Sequence, residues 1–226
     1  CEDSAEDFDD DADGICDTGG PSADCSRGIR GQDMCPLSPI GFISHQGNDI
    51  DGDGCEDSTE DFDDDGDGYL DENDGCPMIF GSSSQGGVLG CLDLDGDGWA
   101  ESVDAFVYDG TQWSDIDEDG YGDNAEGNDA DGCVSIAGDS LYDRLGCRDS
   151  DGDGWSNPDT SYTAEDGADA FPSDDTQWFD RDADGYGDEE FGNEADDCPD
   201  VFGTSMVDRL GCLDSDGDGR SDEGDA

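Results

Sequence analysis

Residues 63–77 read DDDGDGYLDENDGCP, and how that stretch folds decides the architecture. Asp63, Asp65 and Asp67 occupy alternate positions, Gly68 is sixth, and Asp71 and Asp74 are ninth and twelfth. Alternate acids in a tight turn aim their carboxylates at one point, and a sixth-position glycine lets the backbone reverse. Calcium is a hard cation that takes six to eight oxygens at ~2.3–2.6 Å, and the seventh residue, Tyr69, offers its carbonyl. Left bare, carboxylates a few Å apart repel by on the order of 4 kcal/mol per pair at an effective dielectric near 20.

Working outward, the same template returns along the chain. It is complete at Asp49, Asp51, Asp53, Asp57 and Glu60, and at Asp93, Asp95, Asp97, Glu101 and Asp104. It is complete again at Asp115, Asp117, Asp119, Asp123 and Glu126, and at Asp214, Asp216, Asp218, Asp222 and Asp225. Three further loops depart from it. Asp9, Asp11, Asp13 and Asp17 meet Gly20 where the last acid is expected. Asp180, Asp182, Asp184 and Asp188 meet Phe191, so Glu190 or a later acid is the substitute. Asp149, Asp151 and Asp153 run into Asn157, leaving Glu165, Asp166 or Asp169 as the closing ligand. Glycine holds the sixth position of every loop, which acidity alone does not explain. About eight or more calcium ions are expected.

Composition agrees that something other than an oily core holds this chain. It has 67 Asp+Glu against 7 Lys+Arg, a net charge of −60, and only 32 Leu, Ile, Val and Phe among 226 residues. Such a chain lacks the apolar surface to offset its conformational entropy. Nucleic acid is excluded as a partner because there is no basic stripe, and no apolar run reaches the ~20 residues of a membrane span. Eight divalent ions neutralise only part of the charge. Either Asp109, Asp129, Asp131, Asp174 and Asp196 bind more, or the surface stays anionic. An enzyme is not expected: the carboxylates read as ligands, and His45 is the lone histidine.

The loops sit inside repeats. Residues 91–147 align with 147–212 through a Trp (Trp99, Trp155), Asp-Ala-Phe, Thr-Gln-Trp, Asp-Gly-Tyr-Gly-Asp and a closing Arg-Leu-Gly-Cys, with an insertion at about 156–166. Residues 1–8, CEDSAEDF, recur as CEDSTEDF at 55–62. The expected organisation is CEDS/EDF-type repeats over 1–90, a long repeat over 91–146, a second over 147–211, and the start of another over 212–226. No globular boundary is evident, and contacts between neighbours predict an elongated array.

The 11 cysteines in so small a core indicate an oxidising, extracellular or cell-surface setting and a mature fragment. Spacing favours local pairs: Cys16–Cys25, Cys35–Cys55, Cys76–Cys91, Cys133–Cys147 and Cys198–Cys212. The last three close loops of similar size, each constraining the unfolded chain by roughly 3 kcal/mol. A Cys₄ zinc site lacks its Cys-x₂-Cys pairs. Cys1 is left over, and Asp3 and Glu6 match the second half of a loop whose first half is missing. Three explanations stand: a longer repeat protein, a copy-to-copy joint in a head-to-tail filament, or a lipid-bearing N-terminal cysteine.

EF-hands and dockerins need helices on both sides of the loop, whereas these flanks are Cys, Gly, Pro and Ser. The Gly-Gly-x-Gly-x-Asp repeat of calcium β-rolls is absent. Residues 63–77 and 214–225, the latter DSDGDGRSDEGD, resemble thrombospondin type 3 repeats, and the longer units resemble an extended prokaryotic variant. That resemblance implies calcium-stabilised, disulfide-linked tandem loops with little helix or strand, wrapped around ions. The fold class expected is therefore mostly irregular, clipped by local disulfides, without a conventional hydrophobic core. The function expected is a secreted structural protein: a calcium-rigidified rod, stalk or filament subunit, its partner being itself through Cys1. The alternative is a calcium-dependent adhesin that binds surface glycans with aromatics such as Trp113 and Trp178.

Overall fold

Glycines and the side chains of aspartates dictate the path of the backbone. The computed structural model describes residues 9–17, 25, 32–39 and 41–224. Regular structure among them is confined to isolated β-bridges, such as Gly122 to Ala130 and Gly187 to Ala195, and one 3-10 turn at Ala164–Asp166. The expected irregular, disulfide-clipped fold is what forms.

Each Asp/Gly loop is built from its own side chains. In all eight, a carboxylate oxygen of the first Asp accepts the sixth-position glycine N–H, from 2.8 Å at Asp149 and Asp214 to 3.3 Å at Asp9. In all eight, the fifth-position Asp accepts the seventh N–H, as at Asp13 from Ile15 (2.6 Å) and Asp119 from Tyr121 (3.0 Å). The sixth-position glycines all take φ between 90° (Gly219) and 103° (Gly68). The fourth position is left-handed as well, even where it is Ala12, Glu118 or Ala183 (φ 65°, 63° and 61°). A side chain there costs about 1–2 kcal/mol, so the loop geometry imposes that conformation on the sequence.

The five expected disulfides all form. In the rings closed by Cys76–Cys91, Cys133–Cys147 and Cys198–Cys212, a fully buried serine (Ser83, Ser140, Ser205) accepts the N–H of the second cysteine. The same hydroxyl donates to a carbonyl inside the ring, of Val88, Arg144 and Arg209 respectively. Each ring also joins two Asp/Gly loops. Behind, Gly81, Gly138 and Gly203 donate to the fifth-position acids Asp67, Asp119 and Asp184 at 3.0–3.1 Å. Ahead, consecutive N–H groups (Ser84 and Gln85, Leu141 and Tyr142, Met206 and Val207) share the carbonyl of Gly98, Gly154 and Gly219.

The interior is polar. Buried apolar residues are mostly half-cystines, with Ile15, Phe42, Ala100 and Ala168, whereas Gln112 and Gln177 are among the largest fully buried side chains. Phe191 and Tyr108 lie exposed. The Trp155 ring meets Tyr142 (5.9 Å) and Phe179 (4.7 Å). Arg144 anchors the insertion, pairing with Asp159 at 2.6 Å and lying 4.5 Å over the Tyr162 ring. The chain divides into two compact units, Cys1–Gly110 and Thr111–Ala226, so the division falls inside the first long repeat.

Candidate metal centres

Carboxylates converge where the alternating acids predict. In Asp9/Asp11/Asp13, Asp49/Asp51/Asp53, Asp63/Asp65/Asp67 and Asp93/Asp95/Asp97, one oxygen from each residue lies within 4.8 Å of the others, and four more acidic groups behave alike. A further triplet, Asp57/Asp61/Asp64, joins residues from two successive loops. Oxygens this close can share a centre at ~2.3–2.6 Å, the calcium–oxygen distance.

The closing acid of each loop obeys a rule different from a count of twelve. Its N–H donates to the carbonyl of the eighth loop residue, however many residues intervene. Asp74 bonds to Leu70 (2.9 Å) and Asp104 to Ala100 (3.0 Å), the twelve-residue case. Asp131 bonds to Gly122 (2.9 Å), Asp196 to Gly187 (2.8 Å), Asp169 to Ser156 (2.9 Å) and Asp33 to Cys16 (3.2 Å), after longer excursions. Each of these six acids then accepts, on Oδ1, the N–H two residues further on, at 2.6–2.7 Å. Oδ2 of Asp33, Asp131, Asp169 and Asp196 is left buried without a protein donor.

The structure thus brings Asp131 to the loop that begins at Asp115, while Glu126 is exposed. Asp196 fills the place opposite Phe191, Asp169 is the one of three candidates that closes its loop, and Asp33 supplies what Gly20 cannot. In the second loop both Glu60 and Asp61 bond to Glu56, but the Glu60 carboxylate is held by the Ser38 hydroxyl. Asp225 lies outside the described residues, as do Gly20, Cys1 and the incomplete loop at Asp3 and Glu6. The signal in the sequence is Asp-x-Cys or Asp-x-Phe: 33–35, 74–76, 104–106, 131–133, 169–171 and 196–198.

The ninth position closes the loop. Its backbone N–H returns to the residue before the first Asp, as at Asp71, Asp123, Asn157 and Asp188. Its side chain accepts the second-position N–H at Asp17, Asp57, Asp71, Asp123, Asp188 and Asp222. Asn157 does the same through its amide oxygen, at 3.2 Å, so a neutral residue suffices there. Asp123 and Asp222 commit the second oxygen as well, to Ser114 and Ser215. The Glu101 Oε1, in contrast, is buried with no donor.

Electrostatics mark the same places. Asp13, Asp33, Asp131, Asp169 and Asp196 are each at most 8 % exposed, and Oδ2 of each finds no hydrogen-bond donor. Burial pushes Asp33 up to about 8, with Asp17, Asp13 and Asp11 adding to it. Burial likewise raises Asp169 to about 7 and Asp196 to about 6, each against the three alternating acids of its own loop or their neighbours. A buried carboxylate oxygen without a donor costs several kcal/mol unless a cation or proton meets it. The seventh-position carbonyls of Tyr69, Tyr121, Trp155 and Tyr186 accept no backbone hydrogen bond. The donor set is thus carboxylate and carbonyl oxygen, which suits a hard divalent cation and offers nothing to a soft one.

No protein-family model matches the chain, and no curated protein does either. Among the described residues no helix is long and apolar enough to cross a membrane.

Proposed function

We propose that the chain is a secreted calcium-binding structural protein in which ions in tandem Asp/Gly loops rigidify an array of disulfide-clipped repeats. A rod, stalk or filament subunit at a cell surface is the role that fits such an array. One observation carries this reading. Loop after loop gathers carboxylate oxygens close together, many of them buried without a protein donor, in a chain that buries few apolar side chains besides its half-cystines. Bound ions turn that arrangement from self-repelling to cohesive, so binding energy becomes folding energy. Five disulfides support the oxidising setting.

Native mass spectrometry of the chain across a series of free calcium concentrations tests the reading. Eight or more ions are expected to load, displaced poorly by magnesium, which prefers a smaller octahedral shell with retained water. A chain that takes up one or two ions, or that loads magnesium and calcium alike, refutes it.

A further inference from the structure

Two long repeats close their ion loops after eight intervening residues, 123–130 and 188–195, where the loops at 63 and 93 need three. The extra chain has no helix or strand to hold it. What it surrounds is a glutamine. Gln112 is 1 % exposed; its Nε2 donates to the carbonyls of Asn124 (3.0 Å) and Asn128 (2.9 Å), and its Oε1 accepts the N–H of Asn124 (2.9 Å). Gln177, also 1 % exposed, repeats the pattern with Glu189 and Asn193 at 2.9–3.1 Å.

The wall around each amide is closed to any larger residue. A Cβ on Gly122 or Gly127 would stand 2.1 or 2.4 Å from its nearest neighbour, and the Gln112 amide lies within 2.5 Å of both. Gly187 and Gly192 face Gln177 in the same way. Beside the glutamine, the threonine hydroxyls of Thr111 and Thr176 accept the N–H of Asn128 and Asn193. The ring then shuts where Gly122 meets Ala130 and Gly187 meets Ala195, one residue before the closing acids Asp131 and Asp196.

We infer that Gln112 and Gln177 are positioning residues for the cation sites at 115–131 and 180–196. The side-chain amide replaces the missing secondary structure inside the excursion and sets the register that delivers Asp131 and Asp196. Neither glutamine touches the ion. Each acts through the backbone of the ring, which gives the Thr-Gln-Trp motif its purpose. The inference rests on the calcium reading above and adds to it two determinants of affinity that carry no charge and sit in no ligand position.

The test is the Gln112→Glu chain, which keeps the shape but cannot donate to two carbonyls, compared with Asp131→Asn by native mass spectrometry over rising calcium. Two lost donors predict a requirement for about tenfold more calcium, or higher, at one site. Because Asp131 is still present, excess calcium restores the full ion count of Gln112→Glu, whereas Asp131→Asn stays one ion short. Gln177→Glu should behave as Gln112→Glu does, and the double variant should lag by two ions. An unchanged titration overturns the inference alone, and so does a loss spread over all sites, since a positioning residue acts at its own loop. A wild-type chain that loads no calcium overturns the calcium reading with it.

Discussion

Chelation at neutral pH and low salt is the sharpest perturbation of this architecture. In each named triplet of acids the ligand oxygens lie within 4.8 Å of one another. At that separation and an effective dielectric near 20, each ionised pair repels by about 3.5 kcal/mol, so a triplet stores about 10 kcal/mol. The loop's own N–H donors to the first, third and fifth acids return roughly 1.5–3 kcal/mol each. A deficit of about 1–5 kcal/mol per loop remains, and over eight loops it matches or exceeds the ~5–15 kcal/mol that holds an ordinary domain folded. The disulfide rings survive chelation, but the bonds that tie each ring to the loops before and after it depend on loop geometry. EDTA is therefore expected to abolish the near-UV circular dichroism of the Tyr142–Trp155–Phe179 cluster and to raise the radius of gyration in solution scattering. Calcium should reverse both changes. In 1 M salt, where the screening length is ~3 Å, part of the expansion should be lost even without calcium. Unchanged dichroism and radius in a chain shown to be metal-free by elemental analysis refute the whole account.

Two further outcomes bear on the ligands and on charge. Asp131→Asn should leave its loop without an ion across the calcium titration, whereas Glu126→Gln should leave loading unchanged; equal effects, read by isothermal titration, contradict the closing-acid rule. In the folded loops without metal, Asp33 at about 8, Asp169 at about 7 and Asp13, Asp153 and Asp196 at about 6 all lie above their ordinary 3.8, chiefly through burial. A folded loop thus holds protons that the unfolded chain gives up: stability is present below about pH 4 and lost as pH rises through about 6 to 8. Acidifying the EDTA-treated protein from pH 8 to 4 should re-compact it, and expansion on acidification by size-exclusion chromatography contradicts this.

The alternating acids and the sixth-position glycine were legible because their geometry is local. The bond from Gly68 to Asp63 or from Tyr69 to Asp67 spans five and two residues, so spacing alone encodes it. Ring closure was legible for the same reason, each cysteine pair being separated by 9 to 20 residues. The closing acids were legible at Asp74 and Asp104 but not at Asp33, Asp131 and Asp196, because a spacing of twelve is the outcome of a three-residue excursion and not its cause. What persists is a hydrogen bond to the eighth carbonyl, and nothing in the one-dimensional pattern of Asp115 to Glu126 shows that the chain first encircles Gln112. Glycine supplies a second clue. Gly90, Gly146 and Gly211, each just before the second cysteine of one of the three similar rings, are left-handed at φ 69–70°, and a Cβ there would stand 2.1–2.6 Å from Oδ1 of Asp74, Asp131 and Asp196. The closing acid of one loop is thus pressed against the end of its own disulfide ring, and the ring in turn holds the glycine carbonyl of the next loop. Acid, ring and following loop form one chain of contacts, so under the calcium proposal the affinity of each site is tied to the folding of its neighbour.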